Sequence, residues 1–183
     1  MKGRITVLVI GLIFYSGFLY SQAPPESAEV VLQSAYKEAA KKNKNVIVLF
    51  HASWCVWCRK MDTSMNDPKV QKYFTDNYVI KHLVVHESKD KKVLENPGAE
   101  DLLKKYHGND SGIPYWLVFD KSGKLLADSK VRAEGEGLDK GQNSGCPATE
   151  QEVEHFINVL KKTSSLKSEE LAVIAKRFRK NDN

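Results

Sequence analysis

The sequence predicts one α/β domain built on a central mixed sheet of about four to five strands, flanked by helices, with an extra C-terminal helix. Three observations predict it. Residues 46–50 form an unbroken, β-branched apolar run, the composition of a strand covered on both faces. Stretches of helical period alternate along the chain with short apolar runs. At 183 residues the chain can bury one real core, and no internal repeat suggests another architecture.

The N-terminus reads as an export signal. Lys2 and Arg4 precede an apolar run over 5–20, followed by Ser21, Gln22, Ala23, Pro24 and Pro25. A charged start, an apolar middle and a small-residue region are the layout of a secretory signal peptide, here 1–21. The run is short for a bilayer span of ~20 residues. Cleavage after Ser21 is favoured over cleavage after Ala23, because Pro24 would directly follow the latter cut. An uncleaved membrane anchor is the competing reading. No cysteine follows the run, so it offers no lipoprotein attachment. On either reading the domain is periplasmic or secreted.

The domain itself is expected over 22–163. Ser27 is placed to cap a helix reaching Lys42, with Val31, Ala35 and Ala39 on one face. Residues 46–50 are the first strand, and a helix follows with Cys58, Met61 and Met65 at helical spacing. Asp67 and Pro68 are expected to open a short helix that turns Val70 and Phe74 inward. Residues 79–85 form a second strand and 86–93 a charged surface excursion. Asn96 and Pro97 open a helix carrying Leu102, Leu103 and Tyr106, with Gly108 as its stop. Residues 115–119 and 125–131 are strands joined by a turn over 120–123. The stretch 133–145, rich in glycine and charge, reads as a loop. Thr149 and Glu152 form a capping box for a helix with Val153, Phe156, Ile157 and Leu160. Residues 164–183 are a basic helical extension starting at Ser168, either a solvated packing helix or a docking surface.

Charged residues make up 28% of the chain, hydrophobic ones 42%, and the formal net charge is +5. Two of the positive charges lie in the leader, and lysines and glutamates are interspersed elsewhere. This pattern gives no nucleic-acid stripe and fits solvated faces. The three cysteines are more informative. Disulfides persist in oxidising compartments, and a structural framework would use an even number at scattered positions. Here Cys55 and Cys58 are three apart and Cys146 stands alone.

Cys55, Val56, Trp57 and Cys58 sit where a buried strand becomes a helix. A helix N-terminus has unpaired N–H groups and a positive dipole that stabilise a thiolate, the attacking species in disulfide exchange. Cys55 lies at that end, and Cys58 is one turn further in. The first sulfur can attack a disulfide and the second can resolve the mixed disulfide. Arg59 and Lys60 add positive charge nearby. Three other readings stand beside this one: a zinc site, a permanent structural disulfide and a chance pairing of two cysteines. Zinc would need about four ligands, and only Cys146 and scattered histidines remain. A permanent disulfide across two residues would remove little chain entropy. Cys146 reads as a free or half-buried thiol, as a link to another chain or as a regulatory cysteine.

Residues 50–60 read F-H-A-S-W-C-V-W-C-R-K, and 111–115 read S-G-I-P-Y directly before a strand. These two segments resemble the thioredoxin superfamily, in particular secreted bacterial thioredoxin-like proteins with a W-C-x-W-C-K/R-x-M motif, completed here by Met61. The resemblance covers roughly residues 30–160. It implies a thioredoxin fold, with Cys55 as nucleophile and Cys58 as resolving cysteine. It implies that Pro114 is a cis-proline facing the dithiol, where Ile-Pro alone would read as a trans strand entry. It places Trp54, Val56, Trp57, Ile113 and Pro114 around the substrate, with Ile113 offering backbone groups to an extended chain. It departs from the family at Leu49, where many thioredoxins carry a buried aspartate for proton transfer. His51 is the candidate for proton handling, against a packed or solvated histidine. Val56 and Trp57 lack the histidine usual between the cysteines of strong oxidases, which favours a reductase or interchange protein.

The activity implied is thiol–disulfide exchange on protein disulfides. No metal and no cofactor beyond the Cys55–Cys58 disulfide is expected. With no nicotinamide or flavin motif, electrons would come from a membrane-bound or soluble thiol redox partner. The alternative is a client-binding or metal-trafficking module whose redox activity is secondary. The leader predicts that intact-mass measurement of envelope protein finds a chain beginning near Gln22; a full-length, membrane-embedded species would overturn the cleavage.

Overall fold

The structure is a computed structural model describing residues 23–133 and 135–182. The leader expected over 1–21 lies outside these residues. Helix α1 (Ala28–Lys42) is capped by Ser27, whose side chain accepts from the Val30 N–H, and ends at left-handed Asn43. Strand β1 (Asn45–His51) leads to α2 (Val56–Met65), α3 (Gln71–Asn77) and β2 (Tyr78–Val84). Helix α4 (Ala99–Lys105) precedes the hairpin of β3 (Tyr115–Phe119) and β4 (Leu125–Asp128). The short strands β5 (Lys130–Val131) and β6 (Gln142–Asn143) come next, then α5 (Glu150–Thr163) and α6 (Ser168–Phe178).

The main sheet has the order β2-β1-β3-β4. Strand β1 runs parallel to β2 and antiparallel to β3, which is antiparallel to β4. This is the mixed, helix-flanked sheet of the thioredoxin fold. Alternation of side chains along β1 and β3 divides the core. Ile47, Leu49, Trp116 and Val118 face α2, α3, α5 and α6. Val46, Val48, Phe50, Tyr115, Leu117 and Phe119 face α1 and α4. Covering both faces is what makes 46–50 an unbroken apolar run rather than an alternating one.

Several boundaries differ from the sequence reading. Residues 68–70 form a turn, and α3 starts only at Gln71. The Asp67 carbonyl accepts from Val70 and Gln71 N–H, while Val70 and Phe74 point inward as expected. The stretch 125–131 is two strands. The buried Asp128 carboxylate accepts from the Lys130 N–H at 2.8 Å, which bends the chain and ends β4. The loop over 133–145 contains β6, paired with β5. The left-handed residue that ends α4 is His107, not Gly108. Gly108 is needed for room: a Cβ there would collide with Leu103 Cδ1 and lie 2.9 Å from the Tyr115 ring.

The capping box at Thr149 and Glu152 is formed as expected. Helix α6 packs into the core through Leu171, Ile174 and Phe178. Phe178 lies 4.9 Å from Phe156 between ring centroids, and Phe156 is 6.2 Å from Phe74. This aromatic stack ties α6 to α5 and α3, so the last helix is a layer of the core. Phe178→Ala is therefore expected to cost ~3–5 kcal/mol. Urea unfolding would measure it, and a cost below ~1 kcal/mol would show that α6 only rests on the domain.

Candidate active site

The site begins where β1 ends. After His51 the chain leaves the sheet, and the Cys55 N–H donates to the Ala52 carbonyl at 3.1 Å. Cys55 is the N-cap of α2, with its sulfur 3.1 Å from the Cys58 N–H. No acidic residue lies in the first turn of this helix, so its positive end is not offset locally. A disulfide joins Cys55 and Cys58. In the disulfide form both residues are buried, at 2% and 4% exposure. What distinguishes them is direction. Cys55 Sγ faces the helix N–H groups and lies 3.6 Å from the Ile113 carbonyl, while Cys58 is a turn inside the helix.

The Ile113–Pro114 peptide bond is cis. Ile113 packs against Ala52, Cys55 and Cys58, so two segments about sixty residues apart in the chain meet at the dithiol. Trp54, Val56 and Trp57 stand out around it, at 56%, 57% and 45% exposure. The basic neighbours make contacts of their own. Arg59 donates to the Ser53 carbonyl, and Lys60 sits over the Trp57 ring at 4.3 Å while donating to the Asn181 carbonyl. These contacts hold the turn before Cys55 and tie Asn181 to α2.

His51 is half-buried. Its ring centroid is 5.2 Å from that of His82, whose Nε2 lies 2.8 Å from an Asp62 carboxylate oxygen. Burial, then the charge of His82, pulls the His51 pKa below its usual value, so its neutral form is favoured at neutral pH. Leu49 pairs with His82 across β1 and β2 and is fully buried. The position that is acidic in many thioredoxins is therefore apolar, with His82 and Asp62 supplying polarity beside it.

Two site residues escaped the sequence reading. Glu87 lay in what read as a surface excursion, yet it is 5% exposed. Its carboxylate accepts from both the Ser53 backbone N–H and hydroxyl. Left-handed His86 turns the chain there, and its carbonyl accepts from Trp54 Nε1 at 2.8 Å. Residues 86 and 87 thus brace the turn leading into Cys55. Asn143, in what read as a loop, donates to the loop containing Pro114. Neither residue belongs to a local motif, so no sequence signal marks them.

Cys146 is buried, at 4% exposure, and its sulfur accepts from Asn181 Nδ2 at 3.3 Å. It is a free thiol. Among the described residues, no group of three or more His, Cys, Asp or Glu side chains is arranged to hold a metal ion.

A strand-to-helix dithiol with a cis-proline opposite it defines a thioredoxin-type redox site. The chain belongs to the thioredoxin-like domain family, whose model matches residues 32–134. It is 31% identical over 90 residues to the thiol:disulfide interchange protein DsbD of Photorhabdus laumondii subsp. laumondii, across 49% of this chain and 14% of that protein. The DsbD of Actinobacillus pleuropneumoniae serotype 5b is 32% identical over 107 residues, 58% of this chain and 17% of that one. The matched segments thus span less than a fifth of these relatives. Among solved structures, a disulphide isomerase from Xylella fastidiosa Temecula1 aligns over 85% of this chain and 92% of its own, at 19% identity and a TM-score of 0.47. The oxidised C-terminal domain of Neisseria meningitidis DsbD aligns over 57% of this chain and 84% of its own, at 23% identity and a TM-score of 0.40.

Burial pushes the Cys146 thiol up to about 12 from 9.0. In the unfolded chain this thiol ionises first, so the unfolded state holds fewer protons between those values. Its contribution is a loss of stability as pH rises through that window, with a slope of up to ~1.4 kcal/mol per pH unit. Unfolding free energies at pH 8 to 10 should fall more steeply for the parent protein than for Cys146→Ser. Parallel slopes would show that the thiol ionises equally in both states.

Proposed function

We propose that this protein is an exported thiol–disulfide oxidoreductase that reduces or interchanges disulfides of other proteins. One observation carries the reading: the Cys55 sulfur lies at the N-terminus of α2 and against the carbonyl of Ile113, in the loop of the cis-proline. Family membership and the DsbD relatives support it. The leader pattern supports a periplasmic or secreted location. No described helix is long and apolar enough to cross a membrane.

In the reduced protein the Cys55 thiolate attacks one sulfur of a client disulfide. The client S–S bond breaks, one client thiolate leaves, and a mixed disulfide forms. Cys58, deprotonated, then attacks Cys55 Sγ. The Cys55–Cys58 bond forms and the second client thiolate departs, so two electrons have passed to the client. His51, favoured in its neutral form, is the group assigned to take the Cys58 proton. Ile113 and Pro114 present the backbone edge against which the client lies, and Trp54, Val56 and Trp57 form its apolar surround. The dithiol is the sole redox group required. An external thiol partner, membrane-bound or soluble, restores it by the same exchange. Val56 and Trp57 supply no charge to stabilise the reduced thiolate, which favours reduction or interchange over oxidation.

The exposed Trp54, Val56 and Trp57 cluster also supports a second reading, a client-binding module in which the dithiol is secondary. Insulin reduction with dithiothreitol separates the two: turnover above background requires the enzyme, whereas client binding surviving loss of both cysteines is the module.

The two cysteines are expected to fail differently. Cys58→Ala retains the attacking sulfur without the means of release, so mixed disulfides with clients accumulate and disappear on reduction. Cys55→Ala leaves only the sulfur inside the helix, and few adducts form. Non-reducing gels of both variants from the native compartment read this out. Equal trapping, or trapping by Cys55→Ala alone, would falsify the roles.

A further inference from the structure

The loop carrying the cis-proline is held from outside the family-matched segment. Asn143 Nδ2 lies 3.0 Å from each of three backbone carbonyls, those of Ser111, Gly112 and Pro114. Its Oδ1 accepts from the Gly145 N–H at 3.0 Å. The orientation of the amide follows from its partners: three acceptors on one side require the nitrogen there, and a backbone donor on the other requires the oxygen. Two N–H bonds serve three carbonyls, so one is shared. Ile113 lies between these carbonyls, and its own carbonyl meets Cys55 Sγ.

Asn143 is itself anchored. It pairs with Lys130 in the β5–β6 ladder, and the Ser144 N–H donates to the Ser129 carbonyl at 2.8 Å. The buried Trp116 ring donates from Nε1 to the Gly145 carbonyl at 2.9 Å. Arg132 grips the Asp128 carboxylate at 2.6 Å, closing the turn from β4 into β5. The two-stranded sheet therefore delivers one amide to one loop. The family model ends at residue 134, so Asn143 and β6 lie beyond it, anchored to β5 and Trp116 within it.

We infer that Asn143 is a positioning residue for disulfide exchange, holding the Ile113–Pro114 loop in the geometry that presents its backbone to a client chain beside Cys55. This rests on the oxidoreductase reading above. Asn143 touches neither sulfur, so its effect passes through the loop alone. A client that lies along the loop depends on it, and a small disulfide that needs only Cys55 does not. An ordinary structural residue would make no such distinction.

The test compares the parent protein with Asn143→Asp, whose carboxylate faces the three carbonyls without a donor. Both, fully reduced, are reacted in single turnover with a peptide disulfide and with dithiobis(nitrobenzoate), a small aromatic disulfide. The peptide rate constant is expected to fall about tenfold, inside the ~10²-fold that a misplacement of 1 Å can cost. The small-disulfide rate is expected to stay within about twofold, because Asn143 contacts neither sulfur and Cys55 keeps its place at the start of α2. If Asn143→Asp does not fold by circular dichroism, Asn143→Ser is measured in the same way. Equal losses with both disulfides, or no loss with either, overturn the positioning role. A parent protein that reduces neither disulfide faster than Cys55→Ala overturns the oxidoreductase reading, and the inference with it.

Discussion

The site depends on the placement of β1 between two partners. It is hydrogen-bonded to β2 on one edge and β3 on the other, and both of its faces are covered by helices. A strand so confined cannot slip by one residue without moving its whole side-chain set to the wrong core. Its end at His51 is therefore a fixed point in the molecule. The turn over 52–55 and the first residue of α2 are measured from it, and so is the position of Cys55 at the helix N-terminus. Strand β3, held in register on the same β1, fixes the start of Tyr115 and hence the proline just before it. One strand thus sets both halves of the dithiol site.

Around that frame, polar side chains from distant segments brace the irregular backbone. Loops have few ladder hydrogen bonds of their own, and buried backbone groups need partners. Glu87 satisfies the Ser53 N–H before the dithiol, and Asn143 serves the carbonyls around the cis-proline. Asn181 acts similarly on the far side of α2. Its side chain reaches Ser64, the Pro147 carbonyl and Cys146, and its own carbonyl accepts from Lys60. The last turn of the chain is in this way bound to the helix that starts at the dithiol. Packing of Phe178 holds that turn in place, which links an aromatic contact in the core to the order of the active-site helix.

The Cys55 sulfur sits at the positive end of a helix with no acidic residue in its first turn. The Cys58 N–H faces the Cys55 sulfur, while Arg59 and Lys60 in the same helix donate to the Ser53 and Asn181 carbonyls. With Leu49 in place of a carboxylate, the polar groups next to β1 are His51, His82 and Asp62. A neutral His51 can accept a proton, a role for which a buried carboxylate would need a raised pKa. Cys146 stands at the other extreme. Burial outweighs the pull of Lys60 and Arg177 and keeps its thiol protonated, which separates an inert sulfur from the reactive pair.

Local chemistry made much of this protein legible in its sequence. The apolar run over 46–50, the caps at Ser27 and Thr149, and the two cysteines at a strand-to-helix junction each depend on residues within a few positions of one another. The family resemblance added the cis-proline. Long-range contacts decided the rest. Glu87 reads as one more charge in a charged stretch until the fold brings it to Ser53, thirty-four residues away. Asn143 reads as a loop residue until β5 and β6 pair. The break at Ser129 follows from a buried carboxylate, and the core role of α6 from an aromatic stack across three helices. Hydrogen bonds and packing between segments far apart in the chain have no period or spacing to betray them. Only the folded backbone determines which polar group meets which carbonyl, and which end of a buried disulfide faces its loop.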